Sequence, residues 1–286
     1  MTPIIKRQMK PDWLKIQLPN TSEYSWMNKT IRDNCLHTIC TSGKCPNAAE
    51  CWNNGTATFM ILGDVCTRAC KFCNVKTGKP LPVDDKEPLR IARSVKIMKL
   101  KHAVITSVDR DDLNDGGAAI WAETIRKVKE LNPETTMEVL IPDFNGNAEL
   151  LQQVINASPE VISHNMETVR RLTPEIRSKA KYEVSLSVLK YIAKSGIVSK
   201  SGIMLGLGET DTEVLHVMDD LIAIGVKIFT IGQYLRPSPK HHKVVEYITP
   251  EKFKYYEKEG IKRGFRFVES SPLVRSSYHA EKHVNA

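Results

Sequence analysis

The sequence predicts an α/β protein: a partial (β/α)6, TIM-like barrel with an N-terminal extension and a C-terminal tail. Three observations carry that prediction. From about Ala57 onward, short β-branched runs alternate with longer amphipathic stretches, the signature of repeated βα units and a parallel sheet. Polar residues gather just after each run, at the end of a βα fold where sites are built. The units number about six, short of the eight that close a barrel, so a lateral mouth stays open.

Taken in order, residues 1–56 form an extension that is too polar and loop-rich to bury itself without a staple, and it carries Cys35, Cys40, Cys45 and Cys51. The barrel follows over residues 57–240. Strands are expected at Thr58 to Leu62, Ala103 to Ser107, Met137 to Ile141, Val161 to His164, Ser201 to Leu205 and Ile228 to Gly232. Between them, Trp121, Ile125 and Val128 repeat at helical spacing, and Val214, Val217, Met218, Leu221 and Ile222 make a wider apolar stripe that ends at Gly225. Thr210 and Asp211 stand where a helix N-cap belongs. Residues 241–286 form the tail, with a helical patch near Phe253 to Lys258 and the closing run Arg275-Ser-Ser-Tyr-His279.

Composition sets the class of partner. The 286 residues are 41% hydrophobic and 26% charged, ordinary values for a globular protein. No stretch is apolar for long enough to cross a bilayer, and Met1 to Lys10 has no apolar core of signal-peptide length, so a cytoplasmic protein with no membrane role is expected. The formal net charge of +8 predicts an acidic partner. That partner could be nucleic acid, an anionic cofactor or an acidic protein surface, and because Lys and Arg are spread along the chain without a basic block, a solvated basic surface is at least as good a reading as nucleic-acid binding.

Six of the seven cysteines fall into two triplets, Cys40/Cys45/Cys51 and Cys66/Cys70/Cys73. Clustered thiols in a reducing compartment argue for metal rather than disulfides. Three close thiolates hold three irons of a four-iron cube and leave the fourth iron open to bind something else. Zinc is the alternative, with Cys70 and Cys73 joined by two upstream cysteines, but it leaves an odd sulfur in the second triplet. Upstream, spacing alone leaves the ligands undecided, because Cys35, Cys40, Cys45 and Cys51 together could close a cluster.

The run Gly55-Thr-Ala-Thr-Phe-Met-Ile-Leu-Gly-Asp-Val-Cys-Thr-Arg-Ala-Cys-Lys-Phe-Cys-Asn-Val-Lys-Thr-Gly-Lys-Pro80 closely resembles the lipoyl synthase family of radical S-adenosylmethionine enzymes. The likeness extends to Lys10-Pro-Asp-Trp-Leu-Lys15, Ile105-Thr-Ser-Val-Asp-Arg-Asp-Asp-Leu113, Ser163-His-Asn-Met-Glu-Thr168, Gly206-Leu-Gly-Glu-Thr210, Gln233-Tyr-Leu-Arg-Pro237 and Arg275-Ser-Ser-Tyr278. This resemblance implies two 4Fe-4S clusters and S-adenosylmethionine as cofactors. It puts Cys66, Cys70 and Cys73 on the cube that binds and reductively cleaves S-adenosylmethionine. It puts Cys40, Cys45 and Cys51 on an auxiliary cube whose fourth iron goes to a serine of the closing motif, Ser277 in preference to Ser276, with Cys35 a bystander. The implied reaction inserts two sulfur atoms from the auxiliary cube at carbons six and eight of a protein-bound octanoyl chain.

The implied partners are an octanoylated lipoyl-carrier domain with an acidic surface, an electron donor such as ferredoxin or flavodoxin, and an iron–sulfur carrier that rebuilds the cluster. Ser107, Asn165 and Glu167 follow strands in family-like motifs and are candidate contacts to S-adenosylmethionine, although such residues also cap helices. Gly206 and Gly208 suit a turn as well as close approach to a nucleotide. Arg236 and Arg275 suit carboxylate or phosphate recognition. The runner-up reading is a radical methylthiotransferase acting on tRNA, against which stands the lack of a C-terminal RNA-binding β domain in this chain.

Overall fold

The structure is a computed structural model that describes residues 10–15, 29, 38, 40, 45 and 47–284. Helix α1 (Ala48–Asn53) precedes β1 (Thr56–Ile61), which is followed by α2 (Glu87–Ile97), β2 (His102–Ser107), α3 (Ala118–Leu131), β3 (Thr136–Leu140) and α4 (Ala148–Asn156). The chain continues through β4 (Val161–Ser163), α5 (Tyr182–Lys194), β5 (Val198–Leu205), α6 (Asp211–Ala223), β6 (Ile228–Gln233), α7 (Pro250–Arg263) and β7 (Phe267–Ser270). The seven strands lie side by side in chain order and every pair is parallel. Each crossover passes over one face of the sheet, so all carboxyl ends reach one rim.

The outer layer supplies the apolar core. Trp121, Ile125 and Val128 of α3 are fully buried with Ile91 and Val95 of α2 against β1 to β3. A second cluster joins Val214, Val217, Met218 and Leu221 of α6 to Phe229 and Ile231 of β6 and to Phe253 and Tyr256 of α7. Thr210 caps α6 with a full capping box, its hydroxyl and the Glu213 carboxylate exchanging bonds with the backbone, as its position predicts. The strands also bury a polar series that includes His102, Glu138, Ser163, Lys200, Ser201 and Thr230. Purely apolar strands would be expected if both faces were packed only against hydrocarbon.

The α/β barrel architecture agrees with the sequence reading, and each of the six expected strands is present with its ends shifted by a few residues. Lys200 is the consequential shift, because β5 begins at Val198 and carries it into the sheet. The structure adds β7, which pairs with β6 from Ile228↔Phe267 to Ile231↔Ser270. Its four residues include Glu269 and Ser270, too short and polar to show a strand period. Part of the expected tail therefore extends the sheet. No β1–β7 ladder closes the barrel among the described strands. A final turn, Ala280–His283, sits by the amino ends of the strands, where Thr56 donates to Glu281 (3.1 Å) and His283 is fully buried. No helix among the described residues is long and apolar enough to cross a membrane.

Candidate active site

Cys40, Cys45, Cys66, Cys70, Cys73 and the closing serine motif face one chamber of about 640 Å³ that runs into the barrel interior between the strands. Cys66, Cys70 and Cys73 lie on the loop after β1, Cys40 and Cys45 enter from the N-terminal segment, and Ser276 and Ser277 enter from the C-terminal side. Cys51 is on α1, close enough to Cys40 and Cys45 for their charges to act on it. Cys35 lies outside the described residues.

Residues far apart in sequence meet here through a seam between the chain ends. Asn47 donates to the carbonyl of Leu273 (2.7 Å), and the Tyr278 hydroxyl donates to Glu50 (3.1 Å). His279 stacks on Tyr278 and also reaches Glu50 (3.3 Å). The short helix that carries Cys51 is thus docked on the loop that carries Ser277. Asn165 donates to the Ser276 hydroxyl (2.9 Å), which commits that oxygen, while the Ser277 hydroxyl carries no hydrogen bond among the described residues.

The thiols are protonated when no metal is present. Burial pushes Cys40 and Cys66 up to about 11 and Cys73 up to about 12, and it raises Cys45, Cys51 and Cys70 as well. Thiolates in such surroundings form together with metal binding, which releases the protons. Among the described residues no three His, Cys, Asp or Glu side chains converge on a single-ion site. The sulfurs line the chamber instead. The backbone N–H groups of Arg68 and Asp109 point at Cys66 Sγ (3.3 Å each), and such bonds tune a ligated sulfur.

Arg68, inside the cysteine loop, is the site residue that sequence reasoning passed over. Its guanidinium makes forked bonds to Asp111 (2.8 Å) and to Asp143 (2.8 and 2.9 Å), and it stands 3.4 Å from Asp109. It is nearly sealed from solvent, with 5% of its side chain exposed. One side chain therefore fastens the loop to the ends of β2 and β3. The available signal was three aspartates following successive strands, with a single arginine between the cysteines to neutralise them. Ser178 adds a further tie through its hydroxyl, which accepts from the Ala69 amide (3.0 Å).

Ser107, Asn165 and Glu167 all line the chamber, as their strand-end positions predict. Ser107 Oγ and Asn165 Oδ1 are buried and have no hydrogen-bond partner among the described residues, an arrangement that a polar ligand relieves. Glu167 adopts a left-handed backbone (φ 65°) held by bonds to Gly202 and Met204 (3.0 and 2.9 Å), and burial raises its carboxyl pKa. A positive φ at a non-glycine residue with such backing marks a position over-determined by its surroundings. Three thiols, two unpaired buried oxygens and a buried carboxyl fit an iron–sulfur cube carrying an amino-acid nucleotide. Phe72, Leu140, Ile141, Ile203 and Leu235 supply apolar wall beside them.

Two arginines and the glycine pair have other duties. Arg236 donates to the carbonyls of His241 (2.9 Å) and Pro239, and Arg275 to that of Val274 (2.7 Å), so both brace backbone. Gly206 (φ 92°) and Gly208 (φ 107°) form a turn closed by the Glu209 carboxylate, which accepts from the amides of residues 206 and 207. Neither glycine lines the chamber.

Removing Arg68 leaves three acidic groups crowded together, Asp143 buried and the other two partly so. Arg68→Met is expected to lower unfolding free energy by about 3–5 kcal/mol, and Arg68→Lys, which keeps the charge but not the forks, by less; thermal unfolding of the two variants checks the order. The same bonds make stability depend on pH. Arg68 holds the Asp111 carboxyl at about 2, below its ordinary range. Its contribution is complete above the unfolded value near 4 and is lost as pH falls towards 2. Asp111→Asn should flatten the unfolding midpoint against pH across that window, whereas an unchanged slope contradicts the pairing.

The Radical SAM superfamily profile matches residues 60–221. A lipoyl synthase of Parabacteroides distasonis is 62% identical over 275 residues, covering 96% of this chain and 98% of its own. A lipoyl synthase of Bacteroides fragilis is 63% identical over 279 residues, covering 98% and 97%. Among solved structures, SuiB of Streptococcus suis bound to S-adenosylmethionine superposes with a TM-score of 0.60 at 12% identity, over 79% of this chain and 54% of that one. Methylornithine synthase superposes at 0.58 with 10% identity, over 88% and 79%. These two likenesses speak for the fold alone. With full-length relatives at such identity and thiols of both groups lining one chamber, the chain belongs to the lipoyl synthase family of the radical SAM superfamily.

Proposed function

We propose that this chain inserts two sulfur atoms into a protein-bound octanoyl chain, at carbons six and eight, and so makes a lipoyl group. The single observation that carries this reading is the shared chamber: Cys40 and Cys45 of one group, Cys66, Cys70 and Cys73 of the other, and Ser277 face one cavity of about 640 Å³. When bound, the clusters and S-adenosylmethionine supply one-electron cleavage, hydrogen abstraction and sulfide. Cys66, Cys70 and Cys73 hold the first cluster on a loop that Arg68 pins to the sheet. Ser107, Asn165 and Glu167 present the polar atoms that orient the methionine and ribose ends of the cofactor. Apolar residues beside them take the acyl chain and exclude water.

Cys40, Cys45, Cys51 and Ser277 form the second ligand set in this reading, and the packing of α1 against the serine loop supports it. The bonding of the Ser276 hydroxyl to Asn165 favours Ser277 as the oxygen ligand. A hard oxygen on soft iron is released more readily than thiolate, as a sulfur-donating cluster requires. The carrier is an octanoylated domain with an acidic face, the reductant a ferredoxin or flavodoxin, the cluster is rebuilt by an iron–sulfur carrier, and the setting is the cytoplasm. The relatives favour this reading over sulfur insertion into tRNA.

Ser277→Ala is expected to leave production of 5′-deoxyadenosine near the parent level and to reduce sulfur insertion at least a hundredfold, of the order seen when a metal site loses a supporting group. Cys35→Ala should spare both, and mass spectrometry of an octanoyl peptide reads the result. The reverse pattern assigns the fourth iron to Cys35. Exposed lysines on loops beside the chamber, Lys71, Lys79 and Lys240, are expected to steer the acidic carrier. Replacing all three with Gln should raise KM for the carrier domain several-fold and flatten its dependence on salt, with kcat unchanged; an unaltered KM at low salt contradicts carrier steering.

A further inference from the structure

Lys200 is fully sealed from solvent inside the barrel, and so is the carboxylate it faces, Glu138. Its ammonium has three donors to place. It lies 2.8 Å from both Glu138 oxygens, 3.1 Å from His283 Nδ1 and 2.5 Å from the backbone carbonyl of Ser276. Glu138 also accepts from Ser163 on the strand between them (3.0 Å). Packing alone does not explain this choice, since apolar residues of similar volume usually serve a core at least as well as a buried ion pair. An apolar side chain has no way to donate to the Ser276 carbonyl.

The same serine is held at its other end by Asn165, so Ser276 is tied to the ends of two neighbouring elements. The loop also rests on Gly232 of β6, where an added Cβ would meet the Val274 carbonyl oxygen at 2.2 Å. Beyond it, Tyr278 is moored to Glu50. These anchors bracket Ser277 and leave its hydroxyl as the unbonded one of the closing motif among the described residues.

We propose that Lys200, backed by Glu138, is a positioning residue for the serine loop: by fixing the Ser276 carbonyl from inside the barrel it sets the Ser277 hydroxyl at the second cysteine group. The inference rests on the reading of Ser277 as a ligand. It adds that this ligand is aimed by a charge pair within the sheet rather than by the tail itself.

The test is the double variant Lys200→Met/Glu138→Gln, which removes the clamp without stranding a charge, compared with the parent and with Ser277→Ala, all carrying their clusters. Amide hydrogen exchange in the peptide spanning 274–280 should rise about tenfold or more while that in α3 stays as in the parent. Cofactor cleavage should remain within about twofold, sulfur insertion should fall at least tenfold, and the Mössbauer spectrum should change in the same component that Ser277→Ala alters. Unchanged exchange in 274–280, or an equal rise in α3, overturns the proposal. If the double variant does not fold, Glu138→Gln alone should give the same pattern at smaller amplitude, and parent-like exchange in it overturns the proposal. A parent that inserts no sulfur would sink the proposed function, yet the exchange result would still decide whether the clamp exists.

Discussion

The structure depends on the seating of the C-terminal loop upon the N-terminal cysteine segment. Asn47 and Leu273, Glu50 and Tyr278, and Thr56 and Glu281 are separated by 226, 228 and 225 residues, yet each pair is in hydrogen-bond contact. Closing a loop of that length costs little more entropy than closing one half as long, but the contacts must still outweigh it. Polar contacts between partly exposed groups contribute modestly. A cluster bridging Cys40, Cys45, Cys51 and Ser277 would bind the same seam covalently, so the ligand set is also the fastening of the chain ends.

Within that frame two buried charge clusters support the loops around an otherwise partly apolar chamber. Arg68 gathers three aspartates under the first cysteine loop, and Lys200 joins Glu138 beneath the serine loop. Each loop thus has a cation holding it down, one from within the loop and one from within the sheet. Both arrangements put buried charge next to a site whose ligands must keep their places while substrate enters. Rigid support of this kind is what a ligand set needs if one member is to be released on cue.

Much of this was legible in the sequence. Short β-branched runs and helical stripes located six strands and their helices, and the polar clusters after the strands located the rim. The cysteine spacing marked both thiol groups, and Ser107, Asn165 and Glu167 stand where strand ends put them. Strand β7 was missed because its four residues carry no apolar period, and its pairing with β6 is decided by the sheet. Lys200 was missed because the expected strand began one residue after it, and Glu138, inside its expected strand, carried no sign of the partner it would meet two strands away. Sheet pairing brings the two charges together, and the return of the tail adds the Ser276 carbonyl as a further acceptor. Arg68 looked like loop polarity until two neighbouring strand ends brought three carboxylates to it.

The account stands on two metal centres opening into one chamber, one of them consumed. Its most direct test is a single turnover on an octanoyl peptide by anaerobic protein whose clusters were rebuilt with heavy-isotope sulfide, in a medium holding only ordinary sulfide. The account predicts a lipoyl product in which both inserted sulfur atoms are heavy. A product carrying ordinary sulfur contradicts it.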